Sequence, residues 1–297
     1  MWEKRDLNME CKEVVANNRS FLHCRMRNTQ FPTVDIALAR QLERAEAMAN
    51  AASVDSRRVL QPDVGAEWIE VAGVYAMYDG PESPLTQTFG LGIFDPFLDG
   101  EFETIENFFR QRGAPTFHEV SSFAAPETLN RLSARGYSPF ETSTVLVRPT
   151  TTSDSESGPV TVRPIREDEV PLWSRIAAQG WATDSPELDA FLENIGAVMS
   201  RARGVTSFFA ERDGEPIATA GLNINNGVAL LAGAATIPSA RKQGAQRALL
   251  QARLAFAAER GIELAMVVTA PGSASQRNAE RSGFRPVYLR AKWKSPA

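Results

Sequence analysis

The chain has 297 residues, of which 43% are hydrophobic and 23% charged, so it can form one large or two ordinary globular domains. A net charge of −4 and an isoelectric point of about 5.5 argue against a chain-wide attraction to nucleic acid. No apolar run is long enough to span a membrane. The only histidines are His23 and His118, which gives a Ser–His–Asp or Cys–His hydrolase little support.

The chain begins with a polar segment, residues 1–30, which we interpret as an N-terminal extension. It contains both cysteines, Cys11 and Cys24, beside His23. Two cysteines and one histidine are too few for a structural zinc site or a disulfide framework, so we expect reduced thiols and no metal. The segment lacks the apolar stretch of a secretory signal, which favours a cytoplasmic location.

Residues 31–147 form the first predicted domain, in which helices and strands alternate. Periodicity and turn residues predict helices at Val34–Met48, Glu101–Gln111 and Pro126–Ala134, and strands at Trp68–Met77, Gln87–Ile93, Phe117–Ser121 and Pro139–Val147. Residues 148–159 are rich in Pro, Ser and Thr, so they predict a linker.

Residues 160–297 form the second predicted domain. It should contain strands at Val160–Ile165, Thr206–Glu211, Pro216–Leu222, Val228–Ile237, Leu264–Val268 and Phe284–Trp293, and helices at 167–178, 186–200, Gln246–Arg260 and 273–282. Hairpins precede a strand–helix–strand crossover, so the sheet should be mixed and mostly antiparallel, with helices flanking it.

The two halves share a local pattern that suggests a duplicated domain. In the first half, Arg112-Gly113 is followed by Arg135-Gly136-Tyr137, and in the second, Arg260-Gly261 is followed by Ser282-Gly283-Phe284 at nearly the same spacing. Each interval holds a predicted strand and a short helix. The alternative is that two similar helix–strand–helix units arose by chance.

The segment that points to chemistry runs from Thr236 to Leu250, between a predicted strand and the helix after it. The first turn of a helix has unpaired N–H groups and attracts anions. Gly244 can adopt a positive φ and leave neighbouring amides accessible, while Arg241, Lys242 and Arg247 add positive charge. These features suit a diphosphate, but neither a Walker loop nor a three-glycine dinucleotide motif is present.

This loop resembles the acyl-coenzyme A loop of the GNAT acetyltransferases, whose pattern is Arg/Gln-x-x-Gly-x-Gly/Ala. Here Gln246 stands at the last position, where the family has a small residue. The order of elements after residue 160 is also similar, including the Gly283-Phe284 turn. The resemblance implies two GNAT-like domains in tandem and an acetyl-CoA site formed by Ala235, Thr236, Ile237, Arg241, Lys242, Gln243, Gly244, Ala245, Gln246, Arg247 and Asn278.

The resemblance also implies the reaction, in which a primary amine attacks the thioester directly in a ternary complex. The strand before the loop would part from its neighbour and admit the pantetheine arm, which the amides of Ala235 and Ile237 would bind. Gly233, Ala234 and Ala235 are small enough for a close approach, although tight sheet packing explains them equally well.

The acid–base residues are less well defined by the resemblance. Ala279 stands where many members have a tyrosine that protonates the departing thiolate, so the candidates become Asn278, Tyr288 and Ser275. Three acidic residues fall in the region that often covers the acceptor, where a helix cap or a solvated face is the alternative: Asp184, Glu187 and Asp189. Five aromatic residues could line a pocket or simply pack in the core: Trp173, Trp181, Phe191, Phe208 and Phe209.

In the first half, Phe94-Asp95-Pro96 occupies the place of the basic loop, so we expect a degenerate copy without cofactor. The sequence thus predicts an N-acetyltransferase acting on a small-molecule amine, without nucleic-acid or membrane partners, and leaves a homodimer open. Two alternatives remain: a catalytically silent acyl-CoA-binding or scaffold protein, and an interaction module that binds no cofactor.

Overall fold

The computed structural model describes residues 30–150, 158–181 and 186–296, the side chains of residues 186 and 187 excepted. Cys11, His23, Cys24 and most of the predicted extension and linker lie outside these ranges, so those predictions stay untested. In the described residues the helices are α1 (Ile36–Leu60), α2 (Asp99–Arg110), α3 (Pro126–Ala134), α4 (Val170–Trp181), α5 (Pro186–Met199), α6 (Ala245–Glu259) and α7 (Ala274–Arg281). The strands are β1 (Glu67–Val71), β2 (Val74–Tyr78), β3 (Gln87–Phe89), β4 (Phe117–Ser121), β5 (Ser138–Pro149), β6 (Thr161–Pro164), β7 (Val205–Arg212), β8 (Glu215–Asn225), β9 (Val228–Thr236), β10 (Leu264–Thr269) and β11 (Arg285–Lys294).

All these strands belong to one sheet, in the order β1-β2-β3-β4-β11-β5-β10-β9-β8-β7-β6. Two neighbouring pairs are parallel, β3 with β4 and β9 with β10, and the others are antiparallel. The mixed, mostly antiparallel sheet that the sequence predicts is therefore confirmed.

The two halves of the chain exchange their last strands in the middle of this sheet. Strand β5, from the first half, pairs with β10 of the second, and β11, from the second half, pairs with β4 of the first. The two exchanged strands also pair with each other. The predicted boundaries at 147 and 160 remain a prediction, but the halves share one sheet and do not form two separate ones.

Helices cover both faces of the sheet and fix the position of the core. On one face, Leu249 and Leu254 of α6 pack with alternate residues of β7 to β10. On the other, Leu38 and Leu42 of α1 pack on the centre of the sheet, and Trp173 of α4 packs on β7. Because both faces of β10 are covered, its sequence is a continuous apolar run.

A buried group of charged residues ties α1 to β11. The Arg290 guanidinium lies 2.7 Å from Glu43 Oε1 and 2.5 Å from Glu46 Oε2, and the Tyr288 hydroxyl donates to Glu43 at 2.9 Å. Burial alone would lower the pKa of Arg290, but the charges of Glu43 and Glu46 outweigh it and raise that pKa well above its ordinary value. The cluster links the first and last elements of the described chain.

Three elements of the first half differ from their predictions. The strand predicted at Gln87–Ile93 ends at Phe89 as β3, because Gly90 adopts a positive φ of 85° and the chain turns. The predicted strand Trp68–Met77 is a hairpin, because Ala72 and Gly73 both adopt positive φ and reverse the chain. An alanine in that conformation gives no turn signal in the sequence. Helix α1 continues to Leu60, well beyond the predicted end at Met48, through an alanine-rich stretch in which helix propensity is high.

His118 provides a pH test of the first half's core. Burial lowers its pKa to about 3, and its Nδ1 lies 2.8 Å from the Thr88 hydroxyl. In the unfolded chain the imidazole of His118 binds a proton near pH 6.5, whereas in the folded protein it stays neutral until about pH 3. The contribution of this group to the free energy of unfolding is therefore complete above pH 6.5. It falls as the pH drops towards the folded pKa, by up to about 1.4 kcal/mol per pH unit. Urea unfolding of His118→Phe between pH 7 and 4.5 should therefore show a shallower decline than wild type. Equal slopes would contradict this role.

Candidate active site

The central feature of the second half is that β9 parts from β10 after three residue pairs. The parallel pairing ends at Leu230 and Met266, although β9 continues to Thr236 and β10 to Thr269. On its other edge, β9 bulges, since Gly233 and Ala234 lie between the pairs Gly221–Ala232 and Thr219–Ala235. Gly233 has a φ of 62°, and it is exposed together with Ala232. A wedge-shaped opening with accessible backbone results.

A buried arginine of α6 holds this bulge. Arg253 Nη1 donates to the carbonyl oxygens of Gly221 at 2.9 Å and of Ala232 at 3.4 Å, and Nε donates to Leu249. Burial lowers the pKa of Arg253 to about 9, which is still high enough for a charge at neutral pH. Sequence analysis missed this residue, although an arginine four positions after Leu249, on the apolar face of α6, was a visible signal.

The predicted pantetheine contacts of the Ile237 and Ala235 amides differ from the structure. The amide of Ile237 already donates to the carbonyl oxygen of Ile217 at 3.1 Å, so it is not available to pantetheine. Because backbone groups alternate along a strand, the amide of Ala235 points to β8 as well and that of Thr236 points into the opening. The prediction therefore assigned the outward N–H direction to the wrong residues of β9, by one position. The sequence does not show where a bulge lies, and a bulge shifts this alternation.

At the end of β9 the chain forms the predicted turn and enters α6. Gly244 precedes the helix with φ 88° and ψ −5°, and a Cβ built on it would meet no protein atom within 4 Å. Among the described residues no side chain caps this helix, so its first-turn amides face an open space. Lys242 also has a positive φ, 65°, which brings two left-handed residues close together in the loop. This arrangement can bind an anion through backbone N–H groups.

Side chains of the loop hold it in place. Arg241 Nη2 donates to the carbonyl oxygen of Gly180 in α4 at 3.3 Å, and Gln243 accepts from Arg212 Nη1 at 2.5 Å. Gln246, the departure from the family pattern, donates to Thr236 Oγ1 at 2.8 Å and so ties the first turn of α6 to the end of β9.

The predicted proton donors are scattered. Ser275 and Asn278 are exposed on α7, where Asn278 accepts from Arg281 at 3.0 Å. The Tyr288 hydroxyl points into the core towards Glu43, and burial followed by the charge of Glu43 raises its pKa. Ala279 is buried against the sheet. The structure therefore does not bring Ser275, Asn278 and Tyr288 together.

A hydroxyl that the sequence analysis overlooked lies at the opening. Thr269 ends β10, three residues beyond the last pair of that strand with β9, and it pairs with Thr144 of β5. It alternates with Ala265 and Val267, which pack towards α6 and α7, and its buried Oγ1 has no hydrogen-bond partner in the described structure. A threonine after a run of valines gave no sequence signal, because the residue type is ordinary in strands.

The remaining predicted residues of the acceptor region have different environments. Asp184 and the side chain of Glu187 lie outside the description. Trp173, Phe208 and Phe209 are buried, and Trp173 Nε1 donates to the carbonyl oxygen of Phe208 at 3.0 Å, so these three pack in the core. Trp181 is 56% exposed at the end of α4, while Phe191 and Asp189 are half-buried on α5.

Comparison with known proteins agrees with this geometry. Residues 164–284 match the model of the Acetyltransferase (GNAT) family. These residues form a GNAT domain. No curated protein matches the sequence.

Solved structures resemble the fold over both halves. A GCN5-related N-acetyltransferase from Kribbella flavida is 20% identical, with a TM-score of 0.57, and the match covers 83% of this chain and 96% of that one. A tandem GNAT protein from the clavulanic acid biosynthesis pathway is 13% identical, with a TM-score of 0.54 and coverages of 75% and 79%. At such identities the likeness shows the fold alone, which is that of GNAT halves in tandem. This fold generally supports acetyl transfer from an acyl-CoA.

The described ranges contain neither a candidate metal site nor a candidate membrane-spanning helix. No cluster of three His, Cys, Asp or Glu side chains there could hold a metal ion. Nor does any helix in those ranges have the length and apolar character needed to cross a membrane.

Gly180 gives a test of the contact between α4 and β9. A Cβ at this position would lie 2.7 Å from Ala235 Cβ and 2.8 Å from Thr236 N, so Gly180→Ala should push α4 away and lower stability by about 1–3 kcal/mol. Gly196→Ala in α5 is the matched control, because the nearest atom to its Cβ is 3.4 Å away and alanine favours a helix by up to about 1 kcal/mol. Thermal unfolding should rank Gly196→Ala at or above wild type and Gly180→Ala below it. Equal melting temperatures for the two variants would exclude the contact.

Proposed function

We propose that this protein is an N-acetyltransferase that transfers an acetyl group from acetyl-CoA to a primary amine of a small molecule. The observation that carries the proposal is the alignment of two features along one element. Strand β9 first leaves β10 and exposes its backbone, and then leads directly into an open, glycine-started helix with basic neighbours. An elongated ligand with a diphosphate at one end fits that combination.

The residues present fit acetyl-CoA. The diphosphate would bind at Gly244, Ala245, Gln246 and Arg247, with charge from Arg241 and Lys242. The Thr236 amide would donate a hydrogen bond to the pantetheine arm, and the thioester would lie near the exposed part of β9. Backbone N–H groups are left without a strand partner where β9 parts from β10, and without a side-chain cap at the start of α6. Both sets could donate hydrogen bonds to such a ligand.

Acetyl-CoA supplies an activated thioester, so the protein's main tasks are to orient the two reactants and to stabilise charge. The backbone at the β9 bulge would hold the thioester carbonyl. Thr269 Oγ1, which is buried and has no hydrogen-bond partner in the described structure, would donate a hydrogen bond to the sulfur atom, a task for which Ala279 has no suitable group. An amine that reaches the site in its neutral form needs no strong base.

A second candidate function is a catalytically silent acyl-CoA-binding protein. Its supporting observation is the buried Ala279, which lies in the apolar core and offers no proton donor on α7. Binding of acetyl-CoA without thiol release across a broad panel of amines would favour this alternative.

Gly244→Asp tests the diphosphate site. The carboxylate would repel the diphosphate, and each charge-assisted hydrogen bond lost should cost roughly 1.5–3 kcal/mol, so affinity for acetyl-CoA should fall at least ~10-fold in calorimetry. Gly113→Asp is a matched control, since Gly113 also has a positive φ, of 64°, and an open Cβ position. The control should bind as wild type does. Unchanged binding by Gly244→Asp would discard the site.

Thr269→Val tests the hydroxyl at the opening. Loss of one hydrogen bond to the sulfur atom should reduce kcat about tenfold, with little change in KM for acetyl-CoA. Thr269→Ser should restore most of the rate. Thr144→Val, in the cross-strand neighbour on β5, serves as the control for packing. If Thr269→Val keeps the wild-type kcat, the hydroxyl has no part in the reaction.

A further inference from the structure

A second set of unsatisfied polar groups lies on the opposite face of the sheet from α6. Ser207 and Thr219 are 4% and 0% exposed, and neither hydroxyl has a hydrogen-bond partner in the described structure. Buried hydroxyls without partners are costly, so each such group requires an explanation.

These groups share one face of the sheet with two small residues. Ser207 lies opposite Gly221, which in turn lies opposite Ala232, and Thr219 is two residues from Gly221 on the same strand. We call Ser207, Thr219, Gly221 and Ala232 the polar trough. A Cβ at Gly221 would have only one atom within 4 Å, the Ala232 carbonyl oxygen at 3.5 Å, so there is room above the floor. The trough runs from the exposed Ala232, at the opening beside β9, towards β7.

Two helices border the trough and a third spans them. Helix α4 lies over the Thr219 side, since Gly180 is packed against Ala235, the partner of Thr219. Helix α1 lies over the turn between β8 and β9, where Gln41 Nε2 donates to the Asn226 carbonyl oxygen.

Helix α5 connects the two borders. Ser56 of α1 donates to the Val198 carbonyl oxygen at 2.8 Å, and a Cβ at Gly196 would lie 3.4 Å from Ser174 of α4. Helix α5 therefore bridges the two helices that border the trough.

Asp189 brings a carboxylate to the end of the bordering helix α4. The contacts of Gly196 with Ser174 and of Glu193 with Arg175 show that α5 runs antiparallel to α4. Asp189, further towards the start of α5, therefore lies beside the last turn of α4, the turn in which Gly180 reaches Ala235. Its Oδ1 is buried and has no hydrogen-bond partner among the described residues. A buried carboxylate oxygen requires a donor, preferably a cation.

We propose that the polar trough is the acceptor subsite and that it takes a small amine with a second positive charge. The inference rests on the proposed function. The reacting nitrogen must be neutral when it attacks, whereas a carboxylate stabilises the charged form of any amine beside it. Asp189 therefore holds a second ammonium group of the acceptor, and Ser207 and Thr219 bond to its polar substituents. Asp189 is a binding residue that determines specificity.

The test compares 1,3-diaminopropane with 3-amino-1-propanol, which replaces the second ammonium by a hydroxyl. Wild type should acetylate the diamine with a kcat/KM roughly tenfold or more above that of the amino alcohol. Asp189→Asn should remove this preference without changing KM for acetyl-CoA. Glu193→Gln, on the same helix but paired with Arg175, should keep it. The inference is overturned if wild type shows no preference or if Asp189→Asn retains it.

Calorimetry separates this inference from the proposed function. If acetyl-CoA neither binds nor reacts, the proposed function fails, but 1,3-diaminopropane can still be titrated into wild type and Asp189→Asn without cofactor. Binding that Asp189→Asn weakens roughly tenfold supports the cation subsite. Equal affinity for the two proteins, or no binding to either, overturns it.

Discussion

The site depends on one constraint, the early end of pairing between β9 and β10. Gly233 permits the positive φ of the bulge, and Arg253 occupies the carbonyl groups that the bulge frees, so the altered course of β9 is stabilised from the α6 side. Because the strand turns away from β10, its backbone is accessible over several residues. The loop that follows its end at Thr236 leads to Gly244, where α6 starts without a side-chain cap. A regular pairing would close the opening in which we propose that the ligand binds.

The strand exchange gives the first half a role that does not require catalysis. Strand β5 lies between β10 and β11, so the second half lacks a central strand unless the first half supplies it. The buried contacts of Arg290 with Glu43 and Glu46 strengthen this link, since removing either side would leave a buried charge without its partner. Helix α1 also borders the polar trough. The first half therefore completes the sheet of the second half and borders its proposed acceptor region.

The sequence was most informative where structure is local. Helix α3 has the predicted bounds, and the turn at Gly244 was predicted from its glycine and basic neighbours because those properties depend on a few adjacent residues. The strand exchange could not be predicted, since β5 and β11 show the same apolar pattern whichever neighbour they pair with. The bulge was missed for a related reason, and the amide directions of Ala235 and Ile237 were wrong as a result. Asp189, Ser207 and Thr219 belong to α5, β7 and β8, so no local sequence pattern could have linked them.

The corresponding loop of the first half lacks the features on which the proposed diphosphate site depends. Glu101 Oε2 accepts from the Leu98 amide at 3.0 Å, so the start of α2 already has a carboxylate where a diphosphate would bind. Arg40 of α1 donates to the carbonyl oxygen of Ile93 at 2.7 Å, and a Cβ at Gly92 would lie within 3 Å of Thr128. These contacts hold the loop against α1 and α3, while a concavity lined by Arg40, Asp95 and Arg131, among others, remains beside it. The carboxylate of Glu101 at the first turn of α2, and not a lack of space, is therefore what makes this helix start unsuited to a diphosphate.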